Sequence, residues 1–89
     1  MYRIDVSPAA VRDVEKLKGR IAKKDFVRLR NAVRNLSEEP YPHGVRKIKG
    51  SDKAYRIRVG DFRIVYELYD KDKLVLILQI SRRMETTYR

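Results

Sequence analysis

Apolar and polar residues alternate from Tyr2 to Val6, apolar residues recur every three or four positions from Val11 to Leu36, and alternation returns from Tyr55 onward. A period of two marks a strand with one buried face, and a period near 3.6 marks an amphipathic helix. The first segment, Tyr2-Arg3-Ile4-Asp5-Val6, predicts a short strand ending at Ser7-Pro8, where Ser caps a helix that Pro begins. Val11, Val14, Leu17 and Ile21 then form the stripe of a first helix that breaks near Gly19. Phe26, Leu29, Val33 and Leu36 form the stripe of a second, with Asp25 as its expected cap. Each helix is too short to be stable alone, so the two are expected to form an antiparallel hairpin.

Ser37 to Gly44, with Pro40 and Pro42, reads as the irregular connection between a helical half and a β half. Strands are expected around Val45–Lys49, Tyr55–Val59, Phe62–Tyr69 and Leu74–Ser81. Gly60-Asp61 and Asp70-Lys71-Asp72-Lys73 supply the two hairpin turns. The resulting fold class is α+β: an N-terminal strand, then an antiparallel two-helix hairpin packed on a mainly antiparallel sheet of about four strands. At 89 residues there is room for one domain, 1–89, with one small core.

The turn at Gly60-Asp61 has a chemical consequence. It pairs Val59 with Phe62 and sets Arg58 directly opposite Arg63, with Arg56 on the same face. Like charges opposite one another destabilise a sheet by a few tenths of a kcal/mol or more, roughly, so the fold has no reason of its own to choose this arrangement. A polyanion would. A turn centred on Lys71-Asp72 pairs Tyr69 with Leu74 and Arg63 with Ile80, which would bring Arg82 to the same face unless a bulge intervenes.

Composition agrees. The chain carries 22 Lys+Arg against 12 Asp+Glu, a net charge of +10, which points to nucleic acid, an anionic membrane surface or an acidic protein as partner. No apolar run approaches the roughly 18 residues of a membrane span, and Met1-Tyr2-Arg3 leads into a strand pattern, so a cytoplasmic chain without membrane contact is expected. With no Cys and one His, neither metal nor cofactor is expected. Charged residues at 38% with no Trp or Cys resemble thermophile usage, which predicts ion-pair networks around the small core. Lys16, Lys18, Lys23, Lys24, Arg28, Arg30 and Arg34 read as a solvated helix face. His43, in the loop Tyr41-Pro42-His43-Gly44, reads as a loop residue, and Gly50 and Gly60 as turn residues.

The order of elements resembles the RelE toxins of the RelE/ParE superfamily, and the composition points to thermophile or archaeal members. The resemblance rests on Lys47-Ile48-Lys49-Gly50, on Tyr55-Arg56-Ile57-Arg58-Val59-Gly60-Asp61-Phe62-Arg63-Ile64-Val65-Tyr66, and on Arg82 to Tyr88. It implies a toxin of a type II toxin-antitoxin system: a metal-independent, ribosome-dependent endoribonuclease that cuts messenger RNA in the A site. A co-encoded, RelB-like antitoxin would neutralise it, and ribosome and messenger RNA would be its other partners. The implied catalytic residues are Arg56, Arg58, Arg63, Arg82 and Tyr88. Arg63 would stabilise phosphoryl oxygens, Arg82 would assist the leaving oxygen, and Tyr88 would stack beside the scissile bond. In better-known members the paired strand positions are often lysines. Arginine, with a pKa of about 12 or more, makes a poor base, so Glu67, Glu85 or the substrate itself are the candidates for that role. Two other readings stand beside this one: a ParE-like topoisomerase (gyrase) inhibitor without nuclease activity, and a non-catalytic RNA- or DNA-binding module.

Overall fold

The computed structural model describes residues 1–82 and runs β1 (Arg3–Val6), α1 (Pro8–Leu17), α2 (Lys23–Asn35), β2 (Arg46–Lys47), β3 (Ala54–Val59), β4 (Phe62–Tyr69) and β5 (Leu74–Arg82). The strands form one five-stranded sheet in the order β1-β5-β4-β3-β2. β2, β3, β4 and β5 pair antiparallel, and β1 lies parallel to β5 at the edge. The α+β class is as the sequence predicts. The N-terminal strand, expected beside a sheet of about four, is part of that sheet as its fifth member.

Ser7 begins α1 as expected: its side chain accepts from the Ala10 N–H at 3.1 Å, and Pro8 follows it in the first turn. α1 ends before Gly19, whose φ of +81° only glycine adopts readily. The cap of α2 differs from expectation. Ala22 holds that position, because its carbonyl already accepts from the N–H groups of Asp25 and Phe26, and Asp25 lies inside the first turn, 3.7 Å from Arg28. A carboxylate there still faces the positive end of the helix dipole.

The core is one face of the sheet and the stripes of both helices. Tyr66, Phe62, Leu36, Ile64, Ile77 and Val75 are its largest fully buried side chains. Along β4 burial alternates strictly, with Phe62, Ile64, Tyr66 and Leu68 turned inward. Burying a side chain of this size contributes about 1.5–3 kcal/mol, so these residues set the register of the sheet.

One register expectation is overturned. Val65 pairs with Gln79 but Tyr66 pairs with Ile77, so Leu78 is an extra residue and β5 is bulged. Arg63 therefore lies opposite Ser81, where Ile80 was expected, and Arg82 lies opposite Phe62, on the helix-facing side. The bulge falls where β1 ends, and α1 completes the hydrogen bonding there. The Ser7 hydroxyl donates to the Leu78 carbonyl at 3.2 Å, and the Ile80 N–H donates to Asp13 Oδ2 at 2.9 Å. Unmet groups at such an edge would each cost about 1–3 kcal/mol. The expected ion-pair networks are not formed: the ion pairs among the described residues are two isolated contacts, Arg3–Asp5 and Arg28–Asp25, each at 3.7 Å.

A tyrosine cluster ties the connection after α2 to the sheet. Tyr66 donates to the Pro40 carbonyl at 2.8 Å, Tyr55 stacks on Tyr66 with centroids 6.0 Å apart, and Tyr41 meets Tyr55 edge-on at 5.5 Å. The Tyr2 and Tyr41 hydroxyls both donate to the Asp70 carboxylate, at 2.7 and 2.9 Å, which joins β1, the connection and the β4–β5 turn. These two bonds hold the Asp70 carboxyl below its usual range, the Tyr2 bond acting most strongly. A carboxyl whose pKa is depressed by folding stabilises the native state above its unfolded pKa, and that contribution is lost as pH falls through the folded value. The urea midpoint of Asp70→Ala should accordingly lie below that of the wild type at pH 6, and the gap should close as pH is lowered past about 4, the unperturbed range. A gap that is constant from pH 6 to pH 2 would show that the Asp70 charge contributes nothing.

Candidate nucleic-acid interface

Alternation on β3 and β4 places two chemically different surfaces back to back. Tyr55, Ile57 and Val59 pair with Tyr66, Ile64 and Phe62 on the helix side. Arg56 pairs with Val65 and Arg58 with Arg63 on the other side, which no helix of the described residues covers. The turn that fixes this register has a positive φ of +61° at Gly60, the first of two turn residues, as a type II′ hairpin requires. The guanidinium of Arg28 lies against Gly60, so that a Cβ built there would meet Arg28 Nη1 at 3.0 Å. The positive φ is what favours glycine at this turn, and the Arg28 guanidinium, the far end of a flexible side chain, occupies the space a Cβ would take.

Backbone polarity sharpens the picture of the arginine pair. The Leu68 N–H donates to the Lys53 carbonyl, so odd-numbered residues of β3 bond toward β4. Arg58 and Arg63 consequently form a non-hydrogen-bonded pair, the kind in which Cα atoms approach to about 4.5 Å and side chains are closest. Arg58 is exposed and Arg63 half-buried. β2 adds a fourth arginine that sequence reasoning passed over: Arg46 lies opposite Arg56. Its signal was present, because Arg46, Lys47 and Lys49 are all basic and several antiparallel registers set one of them against Arg56 or Arg58, but the register was not legible. None of these four arginines takes part in the ion pairs of the described residues. The Glu67 carboxylate accepts a hydrogen bond from the Tyr69 hydroxyl.

The other candidates divide. Glu67 does share the arginine face, opposite Ala54 on one side and Leu76 on the other. It lies four residues from Arg63, roughly 13 Å along a strand, so it does not reach a phosphate held there. Arg82 leaves the cluster because of the bulge, and its guanidinium sits over the Phe62 ring, 5.3 Å from the centroid. Tyr88 and Glu85 lie outside the described residues. Tyr55 and Tyr66 face the helices. Among the described residues no helix is long and apolar enough to cross a membrane, and no group of His, Cys, Asp or Glu is placed to hold a metal ion.

Fixed guanidiniums on an open sheet face bind phosphates through charge-assisted, forked hydrogen bonds. Each phosphate contact adds to the salt dependence of binding, with a slope of about 0.7 per contact for single strands. Arg46→Ala and Arg56→Ala should each reduce the slope of log K against log salt for single-stranded RNA by about that amount. Fluorescence anisotropy between low and physiological salt measures it. Unchanged slopes, in variants that melt like the wild type, would remove the two residues from the interface.

Comparison with known proteins agrees with this geometry. Residues 4–86 match the family model described as the ParE toxin of type II toxin-antitoxin systems, parDE. A curated relative, the RelE1 toxin of Methanocaldococcus jannaschii, is 28% identical over 85 residues, covering 92% of this chain and 90% of the relative. The RelE chain of the archaeal RelE–RelB complex from Pyrococcus horikoshii superposes with a TM-score of 0.78 at 28% identity, over 96% of this chain and 98% of that one. The isolated RelE toxin of Escherichia coli shares the fold at 18% identity, with a TM-score of 0.78 over 98% of this chain and 89% of that one. A helical pair on a mixed sheet, an uncovered arginine face and a family match spanning nearly the whole chain lead to one conclusion: the protein belongs to the ParE toxin family of type II toxin-antitoxin systems and is a RelE-like toxin of the RelE/ParE superfamily.

Proposed function

We propose that this toxin is a ribosome-dependent endoribonuclease of the cytoplasm that cleaves messenger RNA in the A site and is held inactive by a co-encoded, RelB-like antitoxin. The observation that carries the reading is the set Arg46, Arg56, Arg58 and Arg63 on one uncovered sheet face, outside the ion pairs of the described residues. A partner antitoxin is supported by the archaeal RelE–RelB complex from Pyrococcus horikoshii and by a separate structure of the intact Escherichia coli RelBE toxin-antitoxin complex.

In the proposed reaction a ribose 2′-oxygen attacks the adjacent phosphorus, the bond to the 5′-oxygen breaks, and a 2′,3′-cyclic phosphate and a 5′-hydroxyl form. The 2′-hydroxyl gives up a proton and the leaving 5′-oxygen takes one. Negative charge gathers on the phosphoryl oxygens between these events, and Arg63, half-buried and already oriented by strand pairing, would stabilise it without reorganising. Arg56 and Arg58 would hold the flanking phosphates. Arg82 would assist the leaving oxygen only after leaving the Phe62 ring, and Tyr88 would stack on the neighbouring nucleotide. With arginine at both paired strand positions and Glu67 distant, the main contribution of the described residues is positioning and charge. The free protein should therefore be a poor nuclease.

A second reading has one observation in its favour: the matching family model takes its description from ParE. A topoisomerase inhibitor of this fold would need no phosphate-aligned arginines. Primer extension on a messenger RNA, with and without programmed ribosomes, separates the two. Cuts should appear only with ribosomes, and Arg63→Ala should weaken them by about 10²-fold or more, the effect of removing one donor to a transition-state oxyanion. Folded protein that makes no cuts under either condition, yet blocks DNA supercoiling by gyrase, would establish the inhibitor instead.

A further inference from the structure

The bulge that takes Arg82 off the arginine face puts other side chains on it. Ahead of the bulge, odd-numbered residues of β5 turn their backbone groups to β1, as the Ile77 carbonyl does toward the Ser7 N–H. Beyond it the polarity is reversed, because the Leu78 carbonyl and the Ile80 N–H are bonded to the side chains of Ser7 and Asp13. Gln79 and Ser81 therefore turn theirs to β4, where they lie opposite Val65 and Arg63. Residues directly opposite on antiparallel strands share a face, so both belong to the surface that carries Arg56, Arg58 and Arg63. An unbulged strand would set apolar Leu78 and Ile80 there instead.

These two residues change what the face can bind. Guanidinium groups donate hydrogen bonds and accept none, whereas a ribose 2′-hydroxyl has a proton to give. Glu67, Gln79 and Ser81 offer it an acceptor, at different distances from Arg63. Glu67 is four residues along the strand, roughly 13 Å away, and its carboxylate already accepts from Tyr69. Gln79 is a diagonal neighbour of Arg63, at about 7–8 Å. Ser81 is the direct neighbour, in a hydrogen-bonded pair whose Cα atoms lie about 5.5 Å apart. Its hydroxyl is also free to act. Ser7 and Ser51 accept from the N–H groups of Ala10 and Ala54, and Ser37 donates to the Tyr2 carbonyl. The half-buried Ser81 hydroxyl bonds to no other side chain or backbone group of the described residues.

Arg63 thus stands between unlike neighbours, Arg58 on β3 and Ser81 on β5. When a phosphate is cleaved by in-line attack, the entering and leaving oxygens lie on opposite sides of phosphorus. The entering 2′-oxygen carries a proton until it reacts, so it suits the side where an acceptor stands. We propose that Ser81 is a substrate-contacting residue: its hydroxyl accepts a hydrogen bond from the 2′-hydroxyl of the nucleotide whose phosphate Arg63 holds. The contact rests on the RNA-cleaving reading of this face. Ser81 keeps its own proton and forms no covalent bond. It holds the 2′-oxygen in line with the bond that breaks, and it makes the face favour ribose over deoxyribose.

The test compares one uracil-containing single strand with its 2′-deoxy counterpart, by fluorescence anisotropy, on the wild type, Ser81→Ala, Ser81→Thr and Gln79→Ala. The wild type should favour the ribo strand by about five- to tenfold, the order set by one neutral hydrogen bond. Ser81→Ala should erase that preference by weakening the ribo strand alone. Ser81→Thr, which keeps the hydroxyl and suits a strand, should retain it, as should Gln79→Ala. Equal weakening of both strands would make Ser81 a plain phosphate contact and overturn the proposal. So would a preference that survives in Ser81→Ala. On programmed ribosomes at saturating toxin, Ser81→Ala should slow cutting by about tenfold and Ser81→Thr should restore it. The two readings fail separately. A ribo preference carried by Ser81 in a protein that makes no cuts would sink the nuclease reading and keep the contact, and ribosome-dependent cuts undiminished in Ser81→Ala would do the reverse.

Discussion

The pairing of Val59 with Phe62 across the Gly60-Asp61 turn determines both faces of the sheet at once. Because side chains alternate with a period of two, this single register puts Ile57, Ile64, Phe62 and Tyr66 under the helices and Arg56, Arg58 and Arg63 on the open side. A slip of one residue would exchange the two sets. Each apolar side chain kept inside contributes about 1.5–3 kcal/mol, against the few tenths of a kcal/mol by which an opposed arginine pair disfavours a sheet. The core wins by an order of magnitude, so the fold can tolerate a charge arrangement that does nothing for its own stability.

That tolerance is what the interface draws on. Strand pairing fixes the backbones that carry the guanidiniums, and the type II′ turn with Arg28 folded against Gly60 holds the tip of the hairpin. Behind the sheet, the tyrosine cluster and Asp70 anchor the connection that leads into β2 and so fix the backbone of Arg46. Electrostatic stabilisation of a transition state is most effective when the donors need not reorganise, and rigid strands supply that condition better than loops would. A nearby base is what this face lacks among its described residues, which is why the chemistry proposed for it leans on positioning and on the ribosome.

The hairpin at the centre of the site was legible in the sequence because the local signals agreed: alternation on both strands broken only by Val65 next to the centre of the second, a glycine at the turn, and no charged residue at a core position. The helices were legible by their stripes, although α2 starts at Lys23 and leaves Asp25 inside the first turn, where a carboxylate is as favourable as at the cap. The bulge was not legible. Leu74 to Leu78 is apolar at every position, so no polar residue marks which side chain faces which way, and the extra residue at Leu78 leaves no trace in the pattern. Its consequence is the displacement of Arg82 onto Phe62. Arg46 was hidden for the opposite reason, since Val45 to Lys49 is so rich in basic residues that only the observed pairing singles one out.

Arg58 is proposed to stand opposite Arg63 for a ligand's sake and against the interest of the fold. Urea unfolding of Arg58→Glu at low and high salt tests it most directly. Replacing a like pair by an opposite pair should raise the midpoint at low salt without changing m, and the gain should shrink as salt screens the pair. A midpoint that falls at both salt concentrations would mean that Arg58 stabilises the sheet, and the interface would lose its physical rationale.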